Sequence, residues 1–433
     1  MTHKLENFDR DLDPLLDRIS DAKYVLLGEA SHGTSEFYTW RAEITKRLIT
    51  EKGFSFIAVE GDWPDCYRVN RYAKGMINSG SSAYEVLHAF SRWPTWMWAN
   101  KEIVDLIEWL RSHNKGVEKE EEDKKVGFYG LDVYSLWESL DVVMQYLRKN
   151  YPDAMKSAIE AYSCFEPYSR DVEEYARATA FIPESCEDEV MDMLIELRQK
   201  SKEGEEDDDG RLKEDGREAY FNAEQNAVVA KNAELYYRTM MHGGTASWNV
   251  RDHHMMNTLE RLMKFHGKDA KSIVWAHNTH IGDARATDMR QAKMVNLGQL
   301  AREQAGRDNV DLVGFGTYKG NVIAAKEWGE QMERMPVPPA VDGSWDSFLH
   351  SLDNGGRNKL LTFSDIDKIE SRGQRAIGVV YNPSYERYGN YVETILPIRY
   401  DAFLFIDETH ALHPLHMPVS PDEELPETFP TGL

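Results

Sequence analysis

Short apolar runs separated by helical patterns constrain this chain more than any other feature. The runs are Tyr24–Leu27, Phe56–Val59, Val126–Leu131 and Ser272–Ala276, then Leu312–Phe315, Asn321–Ala325, Ala376–Tyr381 and Ala402–Ile406. Strands that alternate with helices predict an α/β protein, with a mainly parallel β-sheet flanked by helices on both faces. In such a sheet the strand carboxyl ends lie on one edge, where helix amino ends also gather. Residues far apart in sequence converge there.

The first four runs lead into ionisable residues. Glu29 and His32 follow the first, Glu60 the second, Asp132 the third, and His277 and His280 the fourth. Acidic helix caps explain some such positions, and Asp132 is a candidate for one. Glu36 and Arg41 follow closely on a helix read as Ser35–Thr50, with Ser35 as its N-cap. On that helix Phe37, Ile44 and Leu48 form a stripe at helical spacing, with Arg41 in its middle. A cation so placed pairs with a buried carboxylate, points into a cleft or snorkels to the core's margin.

Three imidazoles, two or three carboxylates and an arginine suit general acid/base chemistry on water. Histidine titrates near 6.5, and a carboxylate neighbour orients it and raises its basicity. His32 is the candidate base, with Glu60 and Glu29 as candidate partners and Arg41, His277 and His280 completing the catalytic set. No Gly-x-Ser-x-Gly elbow is present, and Ser31 lacks the strand-to-helix context of a nucleophile. Direct attack by water is therefore expected, with no cofactor. Two other readings of the same residues stand beside it. His277-x-x-His280 with Asp283, and Glu29-x-x-His32, are donors that zinc, iron or manganese accept, which would make a metal-dependent hydrolase or metal-binding protein. His277 and His280 are otherwise capping or core residues.

Residues 90–98 are an aromatic cluster, read either as a substrate wall or as packed core. Trp93, Trp96 and Trp98, with Trp63, Asp132, Arg251 and Asn278, are the candidate substrate-binding residues. The same wall would serve a non-catalytic binding protein. Gly314-x-Gly316 lacks a third glycine and a following helix, so no nucleotide loop is expected.

From about 136 to 265 strand signals give way to helical patterns. The organisation expected is a first part of the core over 1–135, a helical insertion covering the cleft over 136–265, a second part of the core over 266–415, and a flexible tail over 416–433. Residues 1–20 read as one amphipathic helix with Leu12, Leu15, Leu16 and Ile19 on its apolar face, and Asp62 as the cap of a helix to Lys74. Charged segments 117–125 and 202–215 read as solvated loops, Pro336–Pro339 as a loop, and the chain from Pro418 as an aperiodic tail.

Composition sets the remaining limits. A formal charge of −23 disfavours nucleic acid and anionic membranes as partners, since both need clustered Lys and Arg. No run approaches the roughly 18–20 apolar residues of a membrane helix. The polar, acidic amino terminus does not resemble a secretory signal, and Cys66, Cys164 and Cys186 are too few and scattered for a disulfide framework or a cysteine-based zinc site. Both favour a cytoplasmic location. The expected partner is a small-molecule substrate, and no oligomeric state is implied.

The motifs, taken together, resemble the erythromycin esterase family. They are Gly28-Glu29-Ala30-Ser31-His32-Gly33-Thr34-Ser35-Glu36-Phe37, Val59-Glu60-Gly61-Asp62-Trp63-Pro64 and Trp275-Ala276-His277-Asn278-Thr279-His280-Ile281-Gly282-Asp283. Ser247-Trp248-Asn249-Val250-Arg251-Asp252 and Ile377-Gly378-Val379-Val380-Tyr381 fit as well. The resemblance implies a hydrolase that opens macrolactones by general-base attack of water, in an α/β core under a helical region. It implies His32 as base, Glu60 and Glu29 as groups that position or polarise it, and Arg41, His277 and His280 as groups that hold the site and the ester. The macrolide-resistance enzymes commonly show Gly-Glu-Gly-Ala-His where this chain has Gly-Glu-Ala-Ser-His-Gly-Thr. That departure resembles the broader branch of the family.

Overall fold

The computed structural model describes residues 2–118, 121, 124–168, 171–179, 185–203, 214–241, 245–352, 356–363 and 370–417. Its strands are β1 (Thr2–Lys4), β2 (Tyr24–Leu27), β3 (Phe56–Asp62), β4 (Gly127–Asp132), β5 (Ser272–Trp275), β6 (Val310–Ala324), β7 (Glu333–Val337), β8 (Lys359–Thr362), β9 (Arg372–Arg375), β10 (Tyr391–Thr394) and β11 (Ala402–Thr409). Nine of them form one sheet in the order β1-β8-β11-β6-β2-β5-β3-β4, with β7 also paired to β6. The run from β11 to β4 is parallel throughout, and antiparallel pairs are confined to β1/β8, β8/β11 and β6/β7. The expected mainly parallel α/β sheet is the fold observed.

Alternation along the strands explains the layering, because successive side chains point to opposite faces. Val25, Leu27, Ile57, Val59, Ile273 and Trp275 join one core with Phe37, Ile44 and Leu48 of the Ser35–Lys52 helix. Leu26, Phe56, Ala58 and Val274 join the other, with Met255, Leu259 and Leu262 of the Ala246–His266 helix. Between these two layers the register sets Leu27 against Trp275, Trp275 against Val59, and Val59 against Gly130. The residues just beyond share one edge of the sheet.

The helical region contains the Leu136–Asn150, Met155–Phe165, Val172–Thr179, Glu187–Glu203 and Glu214–Met240 helices. It has an apolar cluster of its own, including Leu140, Phe165, Met193, Leu197 and Ala230. Cys164 and Cys186 form a disulfide there, with Cα atoms 5.8 Å apart. The cysteines, read as too few and scattered for a disulfide framework, thus yield one bond, between two positions separated by 22 residues. Cys66 is free and buried.

Other departures have local causes. Residues 1–20 are not one helix but β1 and two short helices, Phe8–Asp11 and Asp13–Ile19, with Pro14 in the first turn of the second. Leu12, Leu15, Leu16 and Ile19 are nevertheless buried. The two runs expected between 312 and 325 are one strand, β6, whose first part pairs with β2 and whose last part pairs with β7. Part of the expected proline loop is β7 itself, and Pro336 is tolerated because β7 has no partner on its far side. Residues 376–381 form no strand, only isolated bridges from Ile377 to Ser31 and from Val380 to Ala325. Thr34, not Ser35, is the N-cap of the Ser35–Lys52 helix. Most of the segments 119–123 and 204–213, and the tail from Pro418 onward, lie outside the described residues. No helix among the described residues is long and apolar enough to cross a membrane.

Candidate active site

Four strand ends of the parallel edge deliver the ionisable groups: Glu29 and His32 follow β2, Glu60 and Asp132 stand at the ends of β3 and β4, and His277 and His280 follow β5. Beyond β2 the chain turns through Gly28–Thr34, and Gly33 lies directly against the Ile323 carbonyl, where a Cβ has no room. The Gly33 carbonyl accepts from the Ile323 and Leu412 N–H groups, at 2.9 Å each, and the Ala30 carbonyl accepts from Ile377 at 2.7 Å. Three chain segments thus fix the loop that carries His32.

Glu29 and Arg41 lie beneath His32. Glu29 Oε1 is 2.9 Å from His32 Nδ1, and Glu29 Oε2 accepts from Arg41 Nη2 at 2.6 Å. Arg41 is fully buried, with its guanidinium 4.5 Å from the ring centroids of both Tyr38 and Trp275. It therefore pairs with a buried carboxylate instead of pointing into the cleft. Glu29 in turn orients the imidazole: with Nδ1 committed to it, Nε2 is left to face outward. His32 is the most exposed of the catalytic candidates at 7%. Burial lowers its pKa, but the carboxylates of Glu60 and Glu29 outweigh this and raise it above 6.5.

Glu60, at the carboxyl end of β3, links the histidines to Arg251. Its Oε2 accepts the His277 backbone N–H at 2.8 Å and its Oε1 accepts Arg251 Nη2 at 2.7 Å. Burial opposes its ionisation, yet His280, Arg251 and His32 hold its carboxyl far below the usual carboxylate range. Asp132, at the end of β4, grips the same guanidinium with two oxygens, at 2.9 and 2.6 Å. The Arg251 guanidinium lies over the Tyr134 ring, 5.0 Å from the ring centroid. A bidentate pair of this kind holds the planar fork in one orientation.

The two remaining histidines differ in setting. His280 Nδ1 lies 3.0 Å from both oxygens of Asp252, and its ring stacks on Trp248 at 4.4 Å. When neutral, it donates from Nδ1 to Asp252 and accepts from Arg251 Nη1 through Nε2, at 2.9 Å. His277 Nδ1 accepts from the Thr279 N–H, and its Nε2 is buried without a hydrogen-bond partner. Burial, reinforced by the nearby His32, holds His277 well below 6.5, so it is neutral at neutral pH. Its ring centroid is 4.8 Å from that of His32.

A cleft of about 150 Å³ opens onto this assembly. His32, Glu60, Asp132 and Arg251 line it together with Asp62, Arg92, Trp93, Trp98, Tyr134 and Trp328. Trp98 donates its indole N–H to the Glu60 carbonyl at 3.0 Å. Other expected substrate contacts are not in this wall. Trp63 is fully buried and donates to Asn222, and Trp96 is core. Asn278 is buried and clamps β6 through the backbone of Phe315. Trp63, Trp96 and Asn278 are buried and do not line the cleft, whereas Trp93, Trp98, Asp132 and Arg251 do. Arg92, Tyr134, Asp252 and Trp328 were not expected as site residues. The adjacency of Arg251 and Asp252 at a helix start was visible, but not that the helix turns one to Asp132 and the other to His280.

A metal centre fits the donors poorly. Both oxygens of Asp132 and one of Glu60 are held by Arg251, Glu29 is held by Arg41, and a fixed guanidinium repels a second cation. Among the described residues no three His, Cys, Asp or Glu side chains are grouped to hold an ion.

Fold and site together define an α/β protein whose acid/base residues gather at the carboxyl edge of a parallel sheet, and its relatives supply the class. The family model for erythromycin esterase matches residues 49–409, so this chain belongs to the erythromycin esterase family, which supports a hydrolase. "Erythromycin esterase type II" of Escherichia coli is 22% identical over 384 residues, covering 84% of this chain and 86% of that protein. The crystal structure of a succinoglycan biosynthesis protein superposes with a TM-score of 0.72 at 23% identity, over 95% of both chains. An erythromycin esterase mutant in its open conformation gives 0.66 at 15% identity, over 94% of this chain and 98% of that one.

Proposed function

We propose that this protein hydrolyses a carboxylic ester or lactone by direct attack of water, with His32 as general base and no serine nucleophile. The observation that carries the reading is the division of labour on His32: Nδ1 is held by Glu29, and the ring borders the cleft. Neutral His32 takes a proton from water at Nε2 as the oxygen attacks the carbonyl carbon. The imidazolium then faces Glu60, kept ionised by its neighbours, and Glu29, and both stabilise it. Arg251, fixed by Asp132, lies in the same wall and stabilises the oxyanion that forms on the carbonyl oxygen. The proton on His32 then passes to the leaving alkoxide. His277, neutral, adds no charge beside the base and keeps an unfilled N–H there.

The test is a panel of macrolides, simple lactones and esters, followed by single-turnover kinetics on any substrate found. Product should form without a burst and without a covalent acyl-enzyme. A trapped acyl group on the protein would refute direct attack by water.

A further inference from the structure

The cleft has two chemically different walls, and we propose that together they select esters bearing a bulky apolar group and no negative charge, with the Trp93–Trp328 pair receiving that group. The inference rests on the reading of His32 as the hydrolytic base in the same cleft.

The apolar wall is built, not incidental. Trp328 is 66% exposed, although folding normally withdraws a side chain of this kind from water. It rests on Trp93, with ring centroids 4.5 Å apart. Trp93 is itself fixed: its indole N–H donates to the Glu330 carbonyl at 2.8 Å, and the buried Trp96 backs it edge-on at 5.5 Å. Phe90 and Met97 continue the surface inward. A rigid aromatic pair with one face in water, at the mouth of a site, gains most from an apolar ligand laid against it.

The rest of the lining is rich in carboxylates. Glu60, Asp62, Asp65 and Asp132 line the cleft against Arg92 and Arg251. Neither arginine has an open fork with which to grip a carboxylate of the substrate. Arg251 is held by Asp132 and Glu60, and Arg92 by Asp62 and Glu138 at 2.6 Å each. Asp62 keeps one buried oxygen, Oδ1, without a partner, and burial pushes its carboxyl up to about 7, so this oxygen suits a neutral hydroxyl group of the substrate. The enclosed volume of about 150 Å³ is too small for a large ligand, for which pockets of roughly 300 Å³ or more are usual. The scissile ester enters while the bulk of the substrate stays at the rim, where Trp328 stands.

A matched ester series tests this. All members share one alcohol, and the acyl group is acetyl, a large aryl-alkyl group, or that same group carrying a carboxylate or an ammonium. For wild type the large neutral ester should exceed the acetyl ester in kcat/KM, and Trp328→Ala should lower that ratio about tenfold, mainly through KM. The carboxylate ester should be about tenfold poorer than its neutral twin. An unchanged ratio in Trp328→Ala, or a carboxylate ester as good as the neutral one, overturns the proposal. Binding of the same esters to folded His32→Ala, followed by calorimetry, separates it from the catalytic reading. Binding that favours the large neutral ester and weakens on adding Trp328→Ala supports the divided cleft even where no ester is turned over, and binding indifferent to Trp328 overturns it.

Discussion

Glu29 joins His32 to Arg41: one carboxylate oxygen lies 2.9 Å from His32 Nδ1 and the other accepts from Arg41 Nη2 at 2.6 Å. A single buried carboxylate thus orients the base and neutralises a buried cation. Glu29→Gln keeps the shape but removes the charge, leaving Arg41 unpaired in the core. Breaking a buried pair from one side costs about 3–5 kcal/mol. Urea denaturation should show a loss of that order, and kcat should fall about a hundredfold as the imidazole loses its anionic partner. Glu29→Gln with wild-type stability would show that Arg41 is neutralised by some other group.

The pH profile follows from the same geometry. Burial disfavours protonated His32, but Glu60 and Glu29 outweigh it and raise its pKa above 6.5. The base works when neutral, so kcat/KM should rise with pH along a limb centred above 6.5. The stability contributed by protonated His32 has the opposite course: it is complete below the unfolded value near 6.5 and is lost as pH rises through the folded value. Glu60→Gln removes one of the two carboxylates that raise the pKa, so the limb should move to lower pH. A limb centred below 6.5 in wild type contradicts this electrostatic account.

The chain after β11 fixes the catalytic loop from outside. Leu412 donates to the Gly33 carbonyl, Ser35 donates to the His410 carbonyl, and His413 bonds Glu102 at 2.8 Å. Ala411 and Leu412 are buried. Truncation after Thr409 removes these contacts without touching His32, and it should lower stability by about 2–4 kcal/mol through lost burial and hydrogen bonds. The same variant should lower kcat, since the loop that carries the base loses its outer support. Thermal melting and steady-state kinetics on one preparation measure both effects.

Within the helical region, the Cys164–Cys186 disulfide closes a separation of 22 residues. A loop of this size restricts the unfolded chain enough to contribute about 3 kcal/mol. Cys164→Ser with Cys186→Ser, or reduction by a thiol, should therefore lower the melting temperature. Turnover below the transition should change less, because the site residues come chiefly from the sheet edge. Equal melting in oxidised and reduced protein would show that helix packing alone holds this region.

The positions of Glu29, His32, Glu60, Asp132 and His277 were legible because short apolar runs locate strand ends, and a parallel sheet places those ends side by side. Arg41 was legible as an anomaly, a cation on an apolar stripe, and its burial resolves that anomaly. The short strands β1, β7, β8, β9 and β10 were not legible, since three to five residues at a sheet margin carry too little periodicity to stand out from loop. Nor was the separation of the aromatic cluster into a buried Trp96 and a cleft-facing Trp93. That division depends on how the 90–98 segment packs against the loop holding Trp328, and nothing local to either segment encodes it.

The most direct measurement is kcat/KM of His32→Ala beside wild type on an ester that wild type cleaves, with circular dichroism to confirm the fold and added imidazole as a replacement base. General-base action by His32 predicts a loss of about a thousandfold, partly restored by imidazole in proportion to its neutral form. A folded His32→Ala enzyme that cleaves the ester at the wild-type rate contradicts the account.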